Sequence, residues 1–129
     1  MARILLVDDD AELVARNAAA LEADGHTVTT ASTTAGGLDA IRHRAPDVVV
    51  LEAMLDRATA GFDLARRIAR DFPALPLIML SRVDEVLSAR ELASQDRDDG
   101  WLPVQRFMEK PVAPEVLVYE VDHLLPVAH

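Results

Sequence analysis

Pro46-Asp47-Val48-Val49-Val50-Leu51-Glu52-Ala53-Met54 contains an unbroken apolar run, Val48 to Leu51, that stops at a carboxylate. A strand solvated on one face would show polar residues at every second position, so a run without alternation predicts a strand covered on both faces, inside a parallel sheet. Glu52 then falls at the strand's carboxyl end, the edge of such sheets where ligands and chemistry collect. That makes it a candidate site residue; by itself it could equally be a plain loop acid.

The 129 residues fit one domain, 1–129, with no repeat and no linker composition. There are no cysteines, which excludes disulfides and thiolate metal sites. A net charge of −9 opposes direct contact with a nucleic-acid backbone and favours a basic partner or a divalent cation. Ile4 to Val7 is too short for a signal peptide's core, and no later run reaches membrane-spanning length, so a cytoplasmic protein without membrane contact is expected.

On the amino-terminal side, Ile4-Leu5-Leu6-Val7 followed by Asp8-Asp9-Asp10 predicts a second buried strand ending in acids, with Asp10 capping a helix whose inward face is Leu13, Val14, Ala18 and Leu21. Gly25 suits the left-handed position after that helix, and a Thr-rich strand is expected from His26 to Thr30. A weaker helix with Gly36 and Gly37 inside it buries Leu38, Ala40 and Ile41. Beyond Glu52, Gly61 opens a helix with Leu64, Ala65 and Ile68 inward and Arg66, Arg67 and Arg70 outward. Pro73 and Pro76 fence a strand, Leu77 to Leu80, that stops at Ser81. A polar helix is expected from about Val83 to Ala93, then a charged loop, a short strand at Phe107-Met108 reaching Glu109-Lys110-Pro111, and a last helix from Pro114 burying Leu117, Val121, Leu124 and Leu125. Five strands alternating with five helices predict one α/β domain, a flavodoxin-like (βα)5 doubly wound parallel sheet in the order 2-1-3-4-5.

In that order the strand ends bring Asp8 and Asp9, Glu52, Ser81 and Lys110 to one edge. Carboxylates with a lysine and a hydroxyl suit phosphoryl chemistry, because hard oxygens hold Mg2+ while the ammonium and hydroxyl hold the transferred group. Two carboxylates about 5 Å apart at an effective dielectric of 20 repel by roughly 3 kcal/mol, so Mg2+, Lys110 or a retained proton must offset them.

With these residues in place, the chain resembles a response-regulator receiver domain over nearly its whole length. The resemblance is carried by Ile4-Leu5-Leu6-Val7-Asp8-Asp9, Pro46-Asp47-Val48-Val49-Val50-Leu51, Gly61-Phe62-Asp63-Leu64, Ser81 and Lys110-Pro111. It implies two-component signalling by a non-enzymatic module: a sensor histidine kinase passes a phosphoryl group to an aspartate, and the surface of the last helices and strand changes toward a downstream target. By position, Asp8 and Asp9 match the acidic pair that holds Mg2+, with Met54 lending a backbone carbonyl. Ser81 matches the switch hydroxyl, Lys110 the phosphate-binding lysine, Phe107 the aromatic that moves on activation, and Lys110-Pro111 a peptide bond the family keeps cis.

The acceptor departs from that pattern. Glu52 stands where the family has aspartate, and the added bond of about 1.5 Å carries the carboxylate toward the place of the phosphoryl group. The expectation is an atypical receiver acting through protein–protein contact, with weakened Mg2+ binding and Glu52 reaching Lys110 as an internal counterion. The alternatives are a conventional Mg2+-dependent phosphoacceptor, should Glu52 accept the group or replace a natural aspartate, and an Asp-x-Asp phosphatase built on Asp8 and Asp10. Asp56 and the loop to Gly61, and the long segment from Asp84 to Arg106, are smaller departures. Trp101 in that segment is either a core cap or an interface anchor. On the last helix, Val116 and Tyr119 form an apolar pair beside the core face, which predicts a homodimer or target contact. His26, His43, His123 and His129 are read as surface or packing residues without a metal role.

Overall fold

The computed structural model describes residues 2–53, 55, 60–81 and 104–125. In chain order the elements are β1 (Arg3–Val7), α1 (Ala11–Ala23), β2 (Thr27–Ala31), α2 (Thr34–His43), β3 (Val48–Glu52), α3 (Ala60–Asp71), β4 (Leu77–Ser81), β5 (Arg106–Glu109) and α4 (Pro114–Leu124). The five strands are all parallel, in the order β2-β1-β3-β4-β5. This is the flavodoxin-like sheet expected from the strand patterns. The helix expected from Val83 to Ala93, the charged loop after it, Asp56, and the candidate residues Met54 and Trp101 lie outside the described residues.

Each central strand alternates between two cores, which is why its sequence shows no polar alternation. Leu5 and Val7, Val49 and Leu51, and Leu77 and Met79 meet Leu38 and Ile41 of α2 and Leu64 and Ile68 of α3. Ile4 and Leu6, Val48 and Val50, and Ile78 and Leu80 meet Leu21 of α1 and Leu117 and Val121 of α4 on the other face. Edge strand β2 is mostly exposed, so its threonines follow from β propensity and not from burial.

Helix starts follow their local chemistry. Asp10 Oδ1 accepts from Leu13 N–H, as a cap should. Thr33 caps α2 through Gly36 N–H. Pro114 sits in the first turn of α4, where its missing N–H has no helical partner to lose. Gly25 takes φ 97° after α1. Several boundaries shift by a residue, with β1 starting at Arg3, α3 at Ala60 and β5 at Arg106, and two more differ for a visible reason. β2 begins at Thr27, because His26 turns inward as a buried side chain before the ladder starts. Helix α4 ends at Leu124, and Leu125 packs from its cap with only part of its surface covered.

Candidate functional site

Register places the site. Val7 pairs with Leu51, Glu52 with Leu80, and Ser81 with Glu109. Asp8, Glu52, Ser81 and Lys110 therefore stand at or one residue beyond the same edge of four adjacent strands. The backbone seals this edge: Asp8 N–H donates to Ala31 O at 3.0 Å, Ala53 N–H to Leu80 O at 3.0 Å, and Lys110 N–H to Ser81 O at 2.7 Å.

Three side chains meet there. Lys110 Nζ donates to Asp8 Oδ2 at 3.1 Å and forms an ion pair with Glu52 Oε2. Glu52 is only 4% exposed, and Asp8 is also buried. Asp8 Oδ1 accepts from Asp10 N–H at 2.9 Å, which fixes the carboxylate's orientation. One ammonium thus stands between two buried acids and offsets their mutual repulsion, leaving one net negative charge. Burial alone pulls the Lys110 pKa down, but the hydrogen bond and charge of Glu52, then those of Asp8, outweigh it and hold the group above its usual 10.5. The linked stability is fully present below that value and is lost as pH rises through the raised folded pKa. Urea midpoints of wild type measured from about pH 9 to about pH 12 are expected to fall in this window, with a shallower fall in Lys110→Met.

The remaining expected site residues are placed less closely. Asp9 is exposed beside the buried Asp8. Ser81 is fully buried at the end of β4. Phe107 is half-buried and packs on the core shared with α2 and α3. The Lys110-Pro111 bond is cis, and Pro111 is exposed. Val116 and Tyr119 are 45% and 58% exposed, the two large apolar side chains of the described residues that face solvent. One oxygen of the Asp10 carboxylate, the second acid of the Asp-x-Asp pattern, is used as the α1 cap.

Asn17 and the surroundings of His26 went unread in the sequence. Asn17 is 3% exposed and lines a small void with Val14, Val50, Leu80 and Glu52; its Oδ1 has no hydrogen-bond partner among the described residues. Its position three residues after Val14 and four before Leu21 was a readable signal, since that spacing puts it on the inward stripe. His26 Nδ1 accepts from Ala2 N–H at 3.1 Å, and Nε2 faces Asp122 Oδ1 at 2.8 Å and Asp24 Oδ2 at 3.1 Å. An Nδ1 that accepts an amide proton leaves the ring proton on Nε2, pointing at both acids. A metal-bound histidine has the reverse arrangement, with its second nitrogen donating, so this cluster is a structural clasp joining β2 to α4. Asp24 is raised above its usual carboxylate value, first by its hydrogen bond with Asp122 and against the opposing pull of His26. Asp122→Ala is expected to cost about 1 kcal/mol, read as a lowered urea midpoint, because Asp24 still accepts from His26.

The family model for the response regulator receiver domain matches residues 4–122, and the chain belongs to that family. It is a receiver of two-component signalling. Among its relatives, PilH of Pseudomonas aeruginosa is 30% identical over 130 residues, covering 97% of this chain and 98% of that protein. The probable transcriptional regulatory protein TcrX of Mycobacterium tuberculosis is 30% identical over 122 residues, covering 95% of this chain and 49% of that protein. The chain spans about half the length of several such regulators. The receiver domain of NtrX from Brucella abortus superposes with a TM-score of 0.81 at 28% identity, over 97% of this chain and 99% of that one. No helix among the described residues is long and apolar enough to cross a membrane.

Proposed function

We propose that this receiver works as an atypical signalling module, switched by contact with partner proteins and not by phosphate on Glu52. The observation that carries the reading is the ion pair between Glu52 Oε2 and Lys110, with Asp8 on the same ammonium. Lys110, the group expected to hold an incoming phosphoryl oxygen, is already engaged by the acceptor-position acid. Intact-mass measurement after incubation with acetyl phosphate and Mg2+ tests it.

The oxygen donors of Asp8, Asp9 and Glu52 suit a hard divalent cation, so the residues present fit Mg2+ in kind. When bound, the ion would supply charge neutralisation at this edge. Here Lys110 already supplies it to Asp8 and Glu52, and Mg2+ binding is accordingly expected to be weak. Asp8 is prealigned through Asp10 N–H, while Asp9 would contribute from the exposed side.

The partner surface we assign is the α4 face carrying Val116 and Tyr119. Receivers act with sensor kinases and downstream targets, and this face offers both apolar area and a polar rim: Arg106 Nε pairs with Glu120 Oε2 at 2.9 Å, and the Tyr119 and His123 rings lie tilted against each other with centroids 4.1 Å apart. A second copy or a target protein docks there. Sedimentation of wild type is expected to show concentration-dependent self-association that Tyr119→Glu abolishes. A monomer at every concentration, unchanged by the substitution, removes the dimer.

A further inference from the structure

At the opposite edge of the sheet from Lys110, a partly enclosed pocket of about 270 Å³ opens under the end of α2. Its lining includes Arg3 of β1, Thr29 of β2, and Ala40, His43 and Arg44 at the end of α2. The sheet explains why these residues meet. Leu5 packs into the core on the α2 side, so Arg3, two residues earlier on β1, lies on that same face. Leu5 pairs with Thr29 in register, which sets the Thr29 hydroxyl diagonally next to Arg3 at the open side of edge strand β2.

Three basic side chains converge in a chain of net charge −9. Favourable interaction with the helix dipole accounts for Arg42 and His43 in the last turn of α2, but not for Arg3, which comes from a different element. Ion pairing does not account for the arginines either. Among the described residues, arginine ion pairs are made by Arg66, Arg67, Arg70 and Arg106, and none by Arg3 or Arg44. Asp47, in the turn after α2, holds the backbone of Arg3 and makes no ion pair with either guanidinium: its Oδ2 accepts from Arg3 N–H at 2.8 Å, and its own N–H donates to Arg3 O at 2.7 Å. Among the described residues, neither guanidinium has an ion-pair partner.

We propose that this pocket binds a small phosphate monoester. Two guanidinium forks offer paired donors suited to a tetrahedral dianion, and Thr29 and His43 offer further polar contacts. The volume falls just below the usual range for ligand sites, about 300 Å³ and upward, which limits the organic part to a few carbons. Ala40 and the Leu5 side of the sheet give that part an apolar wall.

The test is residue-resolved 15N NMR of the Mg2+-free protein titrated with inorganic phosphate and with glycerol phosphate at constant ionic strength. The expected result is saturable shifts at the amides of Arg3, Thr29 and Arg44, with glycerol phosphate binding at least as tightly as phosphate. Affinity should fall about tenfold in Arg44→Gln and further in Arg3→Gln/Arg44→Gln. Arg44 is exposed, so the single variant decides the matter if the double variant does not fold. Shifts confined to Lys110 and its neighbours, no saturation below about 10 mM, equal response to sodium chloride, or unchanged affinity in Arg44→Gln would each overturn the proposal.

Discussion

Acetyl phosphate with Mg2+ is expected to leave the wild-type chain at its unmodified mass, while Glu52→Asp gains a phosphate-sized, Mg2+-dependent adduct. The expected difference in rate is about 100-fold or more, the usual penalty for a reacting atom misplaced by about 1 Å. Its origin is the reach of the side chain. Glu52 sits at the last position of β3, where its backbone is held in register with Leu80. The extra methylene therefore cannot be absorbed by the strand and is spent in delivering the carboxylate to Lys110. Aspartate retracts the acid and returns the ammonium to an incoming group. Calorimetry should follow the same sign, with tighter Mg2+ binding in Glu52→Asp and loss of it in Asp8→Asn. An adduct on wild type that disappears in Glu52→Gln would reverse the assignment.

Gly61→Ala is expected to cost more than about 4 kcal/mol, enough to leave little folded protein. A Cβ at Gly61 would lie 2.0 Å from Glu52 O and 2.3 Å from Ala53 O, both backbone atoms that cannot swing away. The close approach is built into the start of α3, where Gly61 N–H donates to Ala53 O at 2.9 Å. Gly36→Ala is the contrast. Its Cβ would meet the Thr33 hydroxyl at 3.1 Å, a side chain that can adjust, and alanine gains in helix propensity, so stability should stay within about 1 kcal/mol of wild type. Urea denaturation of the two variants in parallel checks the pair.

Much of the fold was legible because a parallel sheet covered on both faces writes itself as continuous apolar runs. Ile4 to Val7, Val48 to Leu51 and Leu77 to Leu80 each stop at a polar residue, Asp8, Glu52 or Ser81, that is itself buried at the sheet's edge. Edge strand β2 was legible only through its threonines, and its start slipped by one residue because nothing local marks His26 as buried. That mark is Asp122, 96 residues away, which no local pattern contains. The union of Asp8, Glu52 and Lys110 could be anticipated once the strand order was assumed, since each acid or base follows a recognisable run. Asn17 is legible by helical spacing alone, against the ordinary assignment of a polar residue to the wet face. The basic pocket under α2 was beyond local reading, because it depends on which threonine of β2 stands opposite Leu5.

Lys110 reaches its partner Asp8 across 102 residues of chain. On a ribosome that synthesises from the amino terminus, β1 and β3 are complete long before Lys110, the cation that the described residues place at their shared edge, exists. Until β5 docks, burying Asp8 and Glu52 together carries an uncompensated repulsion of roughly 3 kcal/mol at a 5 Å separation. The nascent sheet is thereby discouraged from closing early, and the last strand delivers both its own ladder and the charge that lets the earlier strands settle. A chain truncated before Arg106 should accordingly remain loosely packed, however complete its remaining helices.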